Sequence, residues 1–190
     1  MHVNRHTWSL LLCLLLPLLW PTTLSSPARA APDPPPPSPS VPAIGRTWPV
    51  GTRPAVVRAW EPPPTAYGRG HRGVDLAAPP GAPVRAVAAG VVSYAGRVAG
   101  RGVISVTLTG TNLRTTYEPV HPSVTKGMEV TPGQPLGTVE PTGSHCTTPC
   151  LHWGLRRDRT YVDPLSLLPP WLLRRGPSRL LPVLGVPLPG

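Results

Sequence analysis

From about residue 56 to residue 155 the chain is a succession of short runs of Val, Ile, Leu, Thr and Tyr cut by turn residues. Val103-Ile104-Ser105-Val106-Thr107-Leu108 partly alternates between apolar and polar positions, as does Arg114-Thr115-Thr116-Tyr117. A period of two sends successive side chains to opposite faces, which suits a strand with one face buried. Runs of this composition predict strands over 56–60, 84–88, 91–94, 103–108, 113–118, 136–140 and 150–155. Pro62-Pro63-Pro64 stops the first of them. Gly90, Gly110-Thr111-Asn112 and Pro132-Gly133 supply turns. Few windows escape Gly or Pro for the ~10 residues that an amphipathic helix needs. The pattern therefore predicts an all-β, antiparallel fold, a sandwich or an open barrel. No internal repeat is visible.

Composition places this region between two different flanks. Residues 32–64 hold 12 prolines and residues 164–190 hold 7, whereas the 99 residues 65–163 hold 9. The length suits one domain of ordinary size. At the amino terminus, His2, Arg5 and His6 precede an apolar stretch from Trp8 to Trp20, and Ala28-Arg29-Ala30 follows. That is the plan of a secretory signal peptide over 1–30, cleaved after Ala30. The stretch is too short for the ~20 apolar residues of a membrane span, and Pro17 and Pro21 interrupt it. Residues 31–43, with seven prolines, read as an extended polyproline tether. The globular domain is expected over 44–170. A proline- and leucine-rich tail, 171–190, has no evident purpose.

Charge and cysteines are informative once the leader is set aside. The whole chain carries +10; without residues 1–30 it has 16 basic and 8 acidic groups, a net +8. Positive charge favours residence on a polyanionic surface. Nucleic acid is a poor candidate partner, because the arginines are scattered and no aromatic residues interleave them. Cys13 falls in the leader, so Cys146 and Cys150 remain, an even number in an exported chain. They read as a disulfide closing a small loop around Pro149. The competing reading is a pair of thiolate metal ligands.

Two clusters carry candidate chemistry: Gly70-His71-Arg72-Gly73-Val74-Asp75-Leu76 and His145-Cys146-Thr147-Thr148-Pro149-Cys150-Leu151-His152-Trp153-Gly154. His71 and Asp75, four apart in an extended segment, share a face. His152 lies mid-strand and faces away from Leu151 and Trp153. Two imidazoles and one carboxylate, with a fourth place for water, make an open zinc site of the catalytic kind.

The first cluster, with Gly81-Ala82-Pro83-Val84, Gly90-Val91-Val92, Thr116-Tyr117, Val124 to Gln134, Leu136-Gly137, Leu151-His152-Trp153 and Asp163-Pro164 in that order, resembles the lysostaphin-type (LytM-like) zinc peptidases over about residues 56–168. The resemblance implies an antiparallel β-fold with a groove, one zinc ion (Zn2+), and endopeptidase action on peptidoglycan cross-bridges or stem peptides. It puts the metal ligands on His71, Asp75 and His152, with a metal-activated water as nucleophile.

Two positions depart from that family's pattern. Its last motif is His-x-His, and here Cys150 stands where the first, catalytic histidine belongs. A second helper histidine normally follows a Tyr-x pair, and here the chain reads Tyr117-Glu118-Pro119. His145 is the leading surrogate acid/base; His121 is a second candidate, and Glu118 is expected to point away. The sequence thus predicts a secreted, cell-wall-associated zinc metalloendopeptidase acting on peptidoglycan or another anionic wall polymer. The alternative is a non-catalytic wall-binding or hydrolase-regulating module of the same fold.

Overall fold

The structure is a computed structural model that describes residues 40–65 and 67–174. The proposed leader over 1–30, most of the tether and most of the tail lie outside the described residues. Among the described residues eleven strands follow one another: β1 (Val56–Arg58), β2 (Gly73–Ala77), β3 (Pro83–Arg85), β4 (Gly90–Val98), β5 (Arg101–Leu108), β6 (Leu113–Glu118), β7 (Val120–Pro122), β8 (Glu129–Val130), β9 (Pro135–Val139), β10 (Cys150–Arg157) and β11 (Thr160–Val162). A 3-10 turn, Pro164–Leu167, and a single helical turn, Pro170–Leu173, close the described chain. Among the described residues no helix is long and apolar enough to cross a membrane.

All pairings are antiparallel, as the alternation predicts. The larger sheet runs β1-β2-β10-β6-β5-β4-β8, with β11 added alongside β10; the smaller runs β3-β9-β7. Leu113, Thr115 and Tyr117 of β6 are buried, while Arg114, Thr116 and Glu118 are half-buried on the other face. Val74, Leu76, Ile104, Val106, Leu136, Leu151, Trp153 and Leu155 belong to the same core, each with essentially no exposure. Trp48 and Val50 from the segment before β1 also enter it, at 4% and 2% exposure, and Val50 bridges to Val84.

The strand predictions hold in kind and miss in extent. β4 runs to Val98 and β5 starts at Arg101, because Ala99 and Gly100 both take positive φ (47° and 79°) and make a tight hairpin. Such a turn matches the twist of the strands it joins. The run 84–88 is a strand only to Arg85; Ala86, Val87 and Ala88 leave it and stay buried as irregular core. The first strand ends at Arg58 rather than residue 60. β7, β8 and β11 have only two or three residues each and no pattern long enough to reveal them.

Trp153 shows how β10 is held. Its indole Nε1–H donates to Thr115 Oγ1 at 2.7 Å, and the Thr115 hydroxyl donates to the Gly154 carbonyl at 3.0 Å. A buried polar group left without a partner costs about 1–3 kcal/mol, so this threonine keeps a bulky aromatic anchor satisfied in the core. The opposite face of β10 is thereby fixed for the residues that follow.

Candidate metal centre

The site is built on three adjacent strands. In register, Asp75 of β2 faces His152 of β10, and His152 faces Glu118 of β6. Directly opposed residues in an antiparallel pair share a face. Asp75, His152 and Glu118 therefore form a row on the surface of the sheet opposite the core. Leu151 and Trp153 point the other way into the core, as the sequence pattern predicts. His71 precedes β2, where an isolated bridge pairs it with Glu61.

Glycine at 73 makes the arrangement sterically feasible. A Cβ there would lie 2.5 Å from the Trp153 carbonyl oxygen and 2.7 Å from His152 Cε1 and Nε2. The His152 ring lies against this bare backbone with Nδ1 turned to Asp75.

The donor atoms converge closely. His71 Nε2 is 3.1 Å from Asp75 Oδ1 and 3.1 Å from His152 Nδ1, and His152 Nδ1 is 2.8 Å from the same Oδ1. Zinc bonds of 2.0–2.2 Å in a tetrahedron set donor atoms about 3.3 Å apart, so this triangle fits one face of a zinc coordination shell. The tautomer of His71 fits as well. Its Nδ1 is 2.7 Å from the Ala59 carbonyl, which can only accept, so Nδ1 carries the hydrogen and the Nε2 lone pair faces the cluster. Such an outer partner is what orients a metal-binding imidazole. His71 and Asp75 are 4% and 1% exposed, so the donors are shielded from bulk water.

His145 joins the same cluster. Its Nε2 lies 2.9 Å from the second carboxylate oxygen, Asp75 Oδ2. One ligand atom from each of His71, Asp75, His145 and His152 lies within 4.8 Å of the others. The ring centroid of His145 is 5.3 Å from that of His152 and 6.0 Å from that of His71. Unlike the other three, its side chain remains 36% exposed. A crevice of ≈ 200 Å³ opens beside it, lined by Val57, Arg58, Asp75, His145, Cys146, Thr147 and Thr148.

Burial pushes the Asp75 carboxyl upward, but hydrogen bonds from His152 and His145 and the nearby His152 and His71 outweigh it. The group is held at about 2. It is an anion across the whole neutral range, as a metal ligand must be.

Cys146 and Cys150 form a disulfide, S–S 2.06 Å. Their sulfurs approach Asp75 and His145, but bonded to each other they are not thiolates, so the disulfide reading holds over the ligand reading. Cys150 sits on the site face of β10, two residues before His152, and the loop it closes begins right after His145.

Two expectations about substitute groups change. Glu118 does not point away: its register with His152 puts it on the site face, and its Oε1 accepts from Arg101 Nη1 at 3.0 Å. The face of Glu118 relative to Tyr117 is a local property, but its alignment with His152 depends on a pairing 34 residues distant in sequence. His121 lies on β7, in the smaller sheet, and borders a different cavity with Arg97, Thr138 and Glu140. It does not join the histidine cluster.

Comparison with known proteins agrees with this geometry. Residues 69–164 match the model of peptidase family M23. An uncharacterised protein of Mycobacterium tuberculosis is 41% identical over 141 residues, covering 72% of this chain and 54% of that protein. The DD-carboxypeptidase/endopeptidase Mpg of Neisseria meningitidis is 35% identical over 100 residues, 53% of this chain and 23% of its own length. The chain thus spans about half the length, or less, of these curated relatives. Among solved structures, a zinc-containing peptidase from Vibrio cholerae superposes with a TM-score of 0.53 at 26% identity, over 66% of this chain and 41% of that one. The catalytic domain of the antimicrobial peptidase lysostaphin from Staphylococcus simulans gives 0.52 at 27% identity, over 64% of this chain and 93% of that one. With just over half its length matching the family and a carboxylate–histidine cluster at the heart of the matched region, the chain belongs to peptidase family M23.

Proposed function

We propose that this chain is an exported zinc-dependent endopeptidase that cleaves peptides of peptidoglycan in the cell wall. The observation that carries the reading is the donor triangle of His71 Nε2, Asp75 Oδ1 and His152 Nδ1, with edges of 2.8–3.1 Å. When bound there, zinc supplies Lewis-acid polarisation of a scissile carbonyl and lowers the pKa of water. The protein's part is division of labour. His71, Asp75 and His152 hold the ion. The Ala59 carbonyl fixes the tautomer of His71. His145, at the edge of the cluster with its side chain 36% exposed, moves the proton as surrogate acid/base. In the resting site its Nε2 is engaged by Asp75 Oδ2, which holds the ring beside the crevice where a peptide would lie. The net +8 of the chain beyond residue 30 suits residence on a polyanionic wall.

A second reading has its own observation. Pro119 and Cys150 stand at the positions that the family resemblance gives to helper histidines, which suits a wall-binding or hydrolase-regulating module that keeps the fold without turnover. One experiment separates the two. Zinc-loaded and chelator-stripped protein, both with the disulfide formed, are incubated with peptidoglycan and the new amino termini are counted. Zinc-dependent appearance of termini is the expected result. No cleavage by fully loaded protein that still sediments with the wall polymer would establish the module instead.

A further inference from the structure

Peptide hydrolysis develops negative charge on oxygen, so the cations around the donor triangle bear on what the site can bind. Two arginines flank the row Asp75–His152–Glu118, one at each end. Arg58 of β1 is aligned with Asp75 but follows an irregularity in the pairing, and it forms a surface pair with Glu61, the two side chains being 46% and 56% exposed. Exposed pairs of this kind hold their partners weakly. Arg101 is placed differently.

Arg101 opens β5, at the end of the sheet that carries the site. Ile104 of β5 is opposite Tyr117 of β6, and both face the core. Arg101 is three residues from Ile104, so by alternation its side chain lies on the other face, which is the face of Glu118 and His152. The contact confirms the placement: Arg101 Nη1 donates to Glu118 Oε1 at 3.0 Å, with the carboxylate side chain 25% exposed. A Cβ on Gly143 would lie 3.5 Å from Arg101 Cγ and 3.6 Å from Pro119 Cβ, so the arginine stem runs beside Pro119 and the loop that leads to His145. A guanidinium has five N–H donors in a rigid fork. Its bond to Glu118 engages Nη1, leaving donors for an anionic oxygen.

Building on the peptidase reading above, we propose that Arg101, anchored by Glu118 beside His152, binds a negatively charged oxygen of the bound peptide. Two sources share this chemistry: the oxyanion that develops at the cleaved carbonyl, and a carboxylate carried by an acidic wall peptide. Glu118 is the positioning residue. It holds the guanidinium over the site face, and a charge-assisted bond of this type adds direction as well as attraction.

The test uses the full, zinc-loaded, disulfide-intact chain and two probes measured by calorimetry. One is a phosphinic peptide, a stable tetrahedral anion. The other is an acidic wall-type peptide prepared with its side carboxylates free or amidated. Arg101→Gln is expected to weaken the phosphinic peptide about 10²-fold, the scale seen when one oxyanion donor is removed, with zinc content and thermal midpoint unchanged. Arg101→Lys should recover part of that loss, because charge remains while the fork is gone. Glu118→Gln should lose less than Arg101→Gln. If the carboxylate is the source, Arg101→Gln instead weakens only the free-carboxylate peptide and makes it bind like the amidated one. Arg101→Gln that binds both probes as the parent does, at full zinc content, overturns the proposal, as does a parent that binds neither. Failure of the peptidase reading looks different: no new amino termini from the parent, whatever the phosphinic peptide does.

Discussion

The two sides of the site are built to different standards. On the donor side, His71, Asp75 and His152 sit on or beside paired central strands. They are locked by a backbone carbonyl and by each other, and two of them are almost wholly buried. On the helper side, the groups lie in loops and at strand ends. His145 is 36% exposed, Pro119 sits between β6 and β7, and Cys150 is tied into a disulfide. The lesson is that the two sides are positioned by different means: strand register places the His71–Asp75–His152 cluster, and a short cross-linked loop places His145. Under the proposed function, metal binding and proton transfer would therefore be separable.

The largest effect should come from breaking the donor side. His152→Ala removes one vertex of the triangle, and zinc is expected to fall from one ion per chain to almost none by elemental analysis; His71→Ala should do the same. Full metal content in both variants would dismantle the assignment of ligands.

Breaking the helper side should leave the metal in place. His145→Ala is expected to lower the rate of peptide cleavage about 10²-fold or more with zinc retained, the usual worth of a general acid/base. Equal rates in parent and variant would remove His145 from the chemistry.

The smallest effect joins the two sides at Asp75, which accepts from His152 on one oxygen and His145 on the other. In metal-free protein its carboxyl is held at about 2, below its ordinary 3.8. A depressed folded-state pKa stabilises the fold above the ordinary value, and that contribution is lost as pH falls from about 4 through 2. Removing the His145 bond should raise the Asp75 pKa, so metal-free His145→Ala has less of this stability to lose, and the loss, which starts near the ordinary value in both proteins, is complete at a higher pH in the variant. Carbon-detected NMR titration of Asp75 and acid unfolding curves check both statements. A lowered pKa in the variant would contradict the geometry.

The faces of the donor side are legible in the sequence because they are set locally, while the grouping of its three residues comes from the family resemblance. His71 and Asp75 share an extended segment, and His152 is framed by two core residues, so alternation alone assigns their faces. The all-β architecture is legible for the same reason, from runs such as 113–118. The helper side resists such reading. Whether Glu118 looks toward or away from the metal donors depends on which residue of β10 lies opposite, and that is fixed by long-range pairing. That Arg101 shares a face with Glu118 is invisible until β5 and β6 are aligned. His145, seven positions from His152, reaches Asp75 only because the chain between them doubles back through the Cys146–Cys150 loop.

The partner of His71 Nδ1 has a practical consequence for anyone engineering this domain. It is the main-chain oxygen of Ala59, which no side-chain replacement deletes. Point mutations at Ala59 would therefore register little sensitivity and suggest a tolerant position. Adding or removing one residue between Ala59 and His71 would displace that oxygen and release the imidazole to turn. For loop grafting, the quantity to preserve in this stretch is its length and path.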